Sequence, residues 1–186
     1  MINRDFFFEY VRGHLFGGKL RPSQVEGLTA ILDEWDRAYA GKDDRWLAYM
    51  LATVHHETDR TMQPIEEYGR GKGRKYGQPD PVTGQTYYGR GFVQLTWKAN
   101  YEAMAKLLGI KDLVTKPARA LEMGPATQIL FVGMMKGTFT GKKLSDYFNP
   151  NLGDWVNARR IINALDKANL IASYGQQYYA AISHTT

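Results

Sequence analysis

Residues 43–58 read Asp43-Asp-Arg-Trp-Leu-Ala-Tyr-Met-Leu-Ala-Thr-Val-His-His-Glu-Thr58. Trp46, Leu47, Met50, Leu51 and Val54 recur at the spacing of one helix face, and Asp43 or Asp44 supplies an N-terminal cap. Glu57 follows three residues after Val54, so its carboxylate leans toward the apolar face. A carboxyl so placed is partly desolvated, the setting in which a carboxylic acid serves as a general acid. The plainer alternative is a solvated glutamate at a helix end.

The same periodicity extends in both directions. Upstream, Ile2, Phe6, Tyr10 and Val11 suggest a short helix over residues 2–16, with Asn3 as its cap and the Gly17-Gly18 pair at its end. Pro22 and Ser23 open a second helix carrying Val25, Leu28, Ile31, Leu32, Trp35 and Tyr39. Downstream, helical spacing resumes over residues 96–108 and again near 125–135. That latter segment is apolar nearly all round and is expected to form the buried centre. Residues 154–165 and 167–182 complete the helices. Between residues 61 and 91 the pattern collapses into seven glycines and three prolines, punctuation too dense for a long helix. The expected architecture is mainly α: a single helical domain over residues 1–186, interrupted by a long irregular loop with a short hairpin. A loop of that length in a compact domain usually carries a binding or active site.

Composition narrows the chemistry. The 186-residue chain has no cysteine, which excludes disulfides, cysteine-ligated metals and a cysteine nucleophile. Its formal net charge of +5 favours an anionic partner. The longest charge-free apolar stretch, residues 123–135, is broken by Gly124, Pro125, Thr127 and Gln128 and falls short of the about 20 residues needed to span a bilayer. Glu9 interrupts the apolar run at the N-terminus after three phenylalanines, so no secretory signal is expected.

His55 and His56 invite a zinc-protease reading, but the motif H-E-x-x-H would need a histidine where Arg60 stands. No metal site is expected. Arg70-Gly-Lys-Gly-Arg-Lys75 concentrates four cations in six residues without a nucleotide-binding motif, so the alternatives are a solvated rim and an electrostatic guide toward an anionic polymer. Glu66 and Glu67 follow Pro64 on a separate segment that can fold back toward Glu57. Paired carboxylates from different elements are what glycoside hydrolysis uses. Spacing alone does not choose between the two. The densest signal is Tyr87-Tyr-Gly-Arg-Gly-Phe-Val-Gln-Leu-Thr-Trp97: its glycines permit close backbone approach, its aromatics can stack on sugars, and Gln94 and Thr96 offer hydrogen bonds, with Thr96 expected to cap the next helix. Arg160 and Asn163 stand three residues apart on one face of the expected helix over 154–165.

As a set, His56-Glu57-Thr58, residues 87–96, Asn100 and Arg160 to Asn163 resemble glycoside hydrolase family 19, which includes plant-type chitinases and bacteriophage endolysins. The resemblance spans about residues 47–180. The shortness of the chain, its lack of cysteine and the nine-residue step from Glu57 to Glu66 are more similar to the endolysin branch. It implies a lysozyme-like helical fold and an inverting mechanism, with Glu57 as general acid, Glu66 as general base and Thr96 holding the attacking water. His56, Tyr88, Gln94, Asn100, Arg160 and Asn163 fall on positions that serve the sugar cleft. Asp59-Arg60 and Ala164-Leu165 stand where the family often has paired glycines.

The resulting expectation is an endolysin that hydrolyses the β-1,4 bond between N-acetylmuramic acid and N-acetylglucosamine in peptidoglycan. It needs no cofactor, acts as a monomer, and has the anionic bacterial envelope rather than nucleic acid as its partner. It is made in the host cytoplasm and reaches the wall after release. Two alternatives stand beside this: a chitinase acting on N-acetylglucosamine polymers, and a non-catalytic glycan-binding or membrane-disrupting basic protein.

Overall fold

The computed structural model describes residues 2–183. Six helices carry the architecture: α1 (Arg4–His14), α2 (Pro22–Ala38), α3 (Asp44–Glu57), α4 (Lys98–Leu108), α5 (Met123–Lys136) and α6 (Ala168–Ile182). The caps anticipated for the first and third are present. Asn3 accepts the N–H of Phe6, and Asp43 accepts the N–H of Arg45.

The buried centre is α3 rather than α5. Every residue from Leu47 to His55 is buried, whereas α5 leaves Gln128 exposed. The reason is that α3 is covered on several sides at once. It runs along α6 and also touches α2 and α5, while Tyr49 packs against Phe148. Gly175 makes room for this on α6, because a Cβ there would come 2.8 Å from the Trp155 ring. Gly27 does the same on α2, where a Cβ would meet the carbonyl of Met62 at 1.7 Å.

The irregular stretch is tied down by a minimal ribbon. Strand β1 (Ile65–Glu66) pairs antiparallel with β2 (Arg90–Gly91), in the register Ile65 to Gly91 and Glu66 to Arg90. The loop between them is held at its far end by Asp80. Its carboxylate accepts the N–H groups of Val82 and Thr83 and pairs with Lys98 at the start of α4. The Thr83 N–H, with Lys98 behind it, brings the Asp80 carboxyl down to about 2.

Two differences from expectation lie near the C-terminal end. Phe148–Asn149 and Leu152–Gly153 form a second two-stranded ribbon, β3 and β4. Residues 154–165 do not form an α-helix. Only Asn157–Ile161 is helical, as a single 3₁₀ segment. Tighter winding there changes which side chains turn inward.

Among the described residues no helix is long and apolar enough to cross a membrane. No group of three or more His, Asp or Glu among them could hold a metal ion.

Candidate active site

The end of α3, the segments that follow β1 and β2, the start of α4 and the segment after the 3₁₀ turn enclose a cleft of about 500 Å³. Glu57, Gln94, Thr96, Asn100 and Asn163 all line it, so five of the residues singled out from sequence share one cavity. Glu67, Tyr76, Trp97, Phe139 and Ile162 complete most of the wall.

Glu57 is the last residue of α3, and its side chain retains 16% of its exposure. Its Oε1 accepts a 2.6 Å hydrogen bond from Nη1 of Arg159, a side chain only 3% exposed. Arg159 is itself anchored by donating from Nε to the carbonyl of Asp166. A guanidinium in this position fixes Oε1, while Oε2 has no hydrogen bond among the described residues. Reading residues 154–165 as an α-helix selects Arg160 and overlooks Arg159. In the 3₁₀ segment Arg159 turns inward, while Arg160 is exposed, with its Nε 3.4 Å from Asn157 Oδ1, and does not line the cleft. Arg159 stands between Ala158 and Ile161, both fully buried, which is the one sequence signal of its burial.

The two adjacent glutamates diverge: Glu66 ends β1 and Glu67 follows it. Glu66 accepts the Tyr88 hydroxyl at 2.7 Å on Oε1 and pairs with Arg70 at 2.8 Å on Oε2. Glu67 reaches the cleft wall, but both its oxygens are engaged. Oε2 accepts the Gly89 N–H at 3.0 Å, and Oε1 accepts the Tyr76 hydroxyl at 3.2 Å. Glu67 therefore clasps the loop over residues 70–78 to the ribbon.

The Tyr87 to Trp97 stretch splits its work. Its first half is scaffold. The Arg90 guanidinium lies 3.6 Å from the Tyr88 ring centre and donates to the carbonyl of Thr86 and the hydroxyl of Tyr101. Tyr88, 8% exposed, meets Glu66 rather than open cleft. The second half faces the cavity. Gln94 adopts φ +54° and donates from Nε2 to the carbonyls of Ile65 and Gly91, bracing both strands. Gly89 accepts this close approach, since a Cβ there would lie 2.9 Å from Gln94 Oε1 and 3.3 Å from Thr96 Oγ1. Thr96 does not cap α4. Its hydroxyl donates to the carbonyl of Gln94 at 2.7 Å, and the capping position falls on Trp97. That leaves the lone pairs of Thr96 Oγ1 available to a water. Asn100 donates from Nδ2 to the carbonyl of Thr96, and Asn163 Oδ1 accepts the N–H of Ala164.

The two histidines part company. His55 is fully buried, with Nδ1 3.0 Å from the Tyr178 hydroxyl, and burial pushes it down to about 4. His56 is half-buried beside Glu57.

Known structures share this arrangement of elements. The whole chain superposes on 78% of chitinase C from Streptomyces griseus with a TM-score of 0.62 at 21% identity. It superposes on 96% of a bacterial family 19 chitinase with a TM-score of 0.57, also at 21% identity. The fold is that of the family 19 chitinases. In sequence, 74 residues are 43% identical to an endochitinase of Arabidopsis thaliana, covering 39% of this chain. A second Arabidopsis thaliana endochitinase matches at 40% over 70 residues. The chain spans about a quarter of the length of these curated relatives. No protein-family model matches.

Proposed function

We propose that this chain is a glycoside hydrolase that cuts the β-1,4 bond between N-acetylmuramic acid and N-acetylglucosamine of peptidoglycan with inversion. The observation that carries the reading is Glu57: a cleft-floor carboxyl with one oxygen pinned by buried Arg159 and the other free. In the step, Glu57 Oε2 gives its proton to the leaving glycosidic oxygen as the bond from that oxygen to the anomeric carbon breaks. A water held by Thr96 forms the new bond from the opposite face and passes its proton to a carboxylate. We assign that second role to Glu66. Its ion-pair partner Arg70 is mostly exposed and can swing aside, whereas releasing Glu67 from the Gly89 N–H would open the ribbon.

Peptidoglycan is favoured over chitin by charge. The chain carries a net +5, and peptidoglycan is anionic where chitin is neutral. Action at the bacterial wall after release from a host cytoplasm is the setting this reading implies. The second reading, a chitinase, is favoured by the names of the relatives in sequence and structure.

The test is hydrolysis of purified sacculi by the protein and by Glu57→Gln. A loss of at least about a hundredfold in the variant is expected, the scale of general acid catalysis. Undiminished lysis by a folded Glu57→Gln protein would replace the hydrolase reading with a binding or membrane-disrupting one.

A further inference from the structure

In the wall of the cleft, the Tyr76 and Trp97 rings meet edge to face, 5.1 Å apart at 80°. Both rings line the main cleft and also two adjoining hollows. One is formed with Gly73, Arg74 and Lys75, the other with Lys75, Pro79, Pro81 and the ion pair of Asp80 with Lys98. The aromatic pair is therefore a shared wall between the catalytic cleft and a cationic annex.

Three features mark the annex as built for a ligand. Trp97 is half exposed, and it stands at φ +74°, a backbone conformation that costs a non-glycine residue energy and persists only where the surroundings enforce it. The bond from the Trp97 N–H to the Tyr87 carbonyl, at 2.8 Å, does the enforcing. The cations sit on an ordered loop, not a loose one. Gly77 packs directly on Gly71, the N–H of Arg74 donates to the carbonyl of Gly71, and the N–H of Tyr87 donates to the carbonyl of Tyr76. Finally, Lys72, Arg74 and Lys75 are exposed and have no side-chain hydrogen bond or ion pair with any described residue. By contrast, Arg70 and Lys98 at the borders of the same region are already paired with Glu66 and Asp80. Within this loop, the unpaired charge therefore lies beside the Tyr76–Trp97 wall.

We infer that Arg74 and Lys75, beside the Tyr76–Trp97 wall, form a subsite for the carboxylate groups carried by the substituents of a glycan strand lying in the cleft. The inference rests on the peptidoglycan reading above and deepens it. Neutral N-acetylglucosamine polymers offer nothing to these cations, while the carboxylates of peptide stems recur along a peptidoglycan strand. The subsite selects between the two polymers by charge, and the aromatic wall keeps the sugar backbone in line with Glu57.

The experiment compares the protein with the double variant Arg74→Gln, Lys75→Gln on two substrates at low salt. One is native sacculi; the other is sacculi whose carboxylates have been converted to amides with a carbodiimide and ammonia. The ratio of kcat/KM on native to amidated sacculi should fall about tenfold in the variant, as expected for two exposed charge contacts, with the change carried in KM. The preference of the parent protein should shrink likewise as salt rises. An unchanged ratio in the variant overturns the subsite. If the parent protein leaves both forms of sacculi intact and cleaves N-acetylglucosamine oligomers, the peptidoglycan reading itself fails. Retention of the double variant on anionic lipid vesicles matching that of the parent, with an unchanged substrate ratio, also counts against it. Loss of vesicle retention with that ratio unchanged reassigns the cations to a membrane surface.

Discussion

Arg159 donates from Nη1 to Glu57 Oε1 across 102 positions of sequence, at 2.6 Å, with the guanidinium all but excluded from solvent. A charge pair so placed fixes the orientation of the carboxyl and ties the 3₁₀ turn near the C-terminal end to the floor of the cleft.

Arg159→Met should therefore cost both activity and stability. Activity should drop by about a hundredfold, the scale of a misplaced general acid. Stability to urea should fall by about 3 kcal/mol, the lower end for a broken buried pair because Glu57 still touches cleft water. Adding Glu57→Gln to Arg159→Met should recover part of that stability, since the variant no longer leaves a lone carboxylate. Equal urea midpoints for all three proteins would show that the pair is not energetically coupled.

Glu66 and Glu67 separate by the partners they hold. Glu66→Gln should reduce hydrolysis nearly as far as Glu57→Gln while leaving the melting temperature close to that of the parent, because its ion pair with Arg70 is exposed. Glu67→Gln should retain most activity and lose about 1–2 kcal/mol, since an amide oxygen accepts the Gly89 N–H less strongly than a carboxylate does. The reverse order of activities, measured on the same sacculi, would move the general base to the residue on the cleft wall.

His55 sets a pH dependence. Burial lowers it from 6.5 to about 4 in the folded protein. Between those values the unfolded chain binds the extra proton and the folded chain does not, so stability rises with pH across that window. The contribution is complete above about 6.5, is lost progressively as pH falls toward 4, and amounts to roughly 3 kcal/mol. Urea unfolding at pH 7.5 and pH 4.5 measures it. His55→Phe should flatten that difference by a similar amount, and an undiminished difference in that variant would assign the effect to other groups.

Much of the fold is legible in the sequence because apolar periodicity survives wherever a helix has one wet face. The helix ends at Asn3, Asp43 and Gly109 follow from caps that are local in sequence. Glu57 and the cleft-lining Gln94, Thr96 and Asn163 are legible from short motifs and helical spacing, whereas Asn100 enters only through the family 19 resemblance. The β1–β2 ribbon is not, because two residues are too few to show alternation and its register depends on Gln94 reaching back to Ile65. Arg159 is hidden by winding. One turn of 3₁₀ helix exchanges the inward residue of an adjacent arginine pair, and nothing in residues 154–165 announces that the α period fails there. The centre of the bundle is misjudged from sequence for a related reason. His55 and Thr53 lower the apparent apolarity of α3, yet both are buried, with Thr53 bonded to the Tyr49 carbonyl and His55 to Tyr178.

At the exit from α3, two non-glycine residues stand where the family 19 resemblance implies paired glycines. Asp59 and Arg60 occupy φ +49° and φ +63°, conformations that glycines adopt without strain. Gln24 of α2 holds the second of them by donating to the carbonyl of Arg60.

Cleavage at one bond of one polymer is read out by the identity of the new reducing end. Purified peptidoglycan is digested, the products are reduced with borohydride, and mass spectrometry identifies the reduced sugar. The proposed cut yields reduced N-acetylmuramic acid, formed by the protein and not by Glu57→Gln. Reduced N-acetylglucosamine, or no new reducing ends at all, would contradict it.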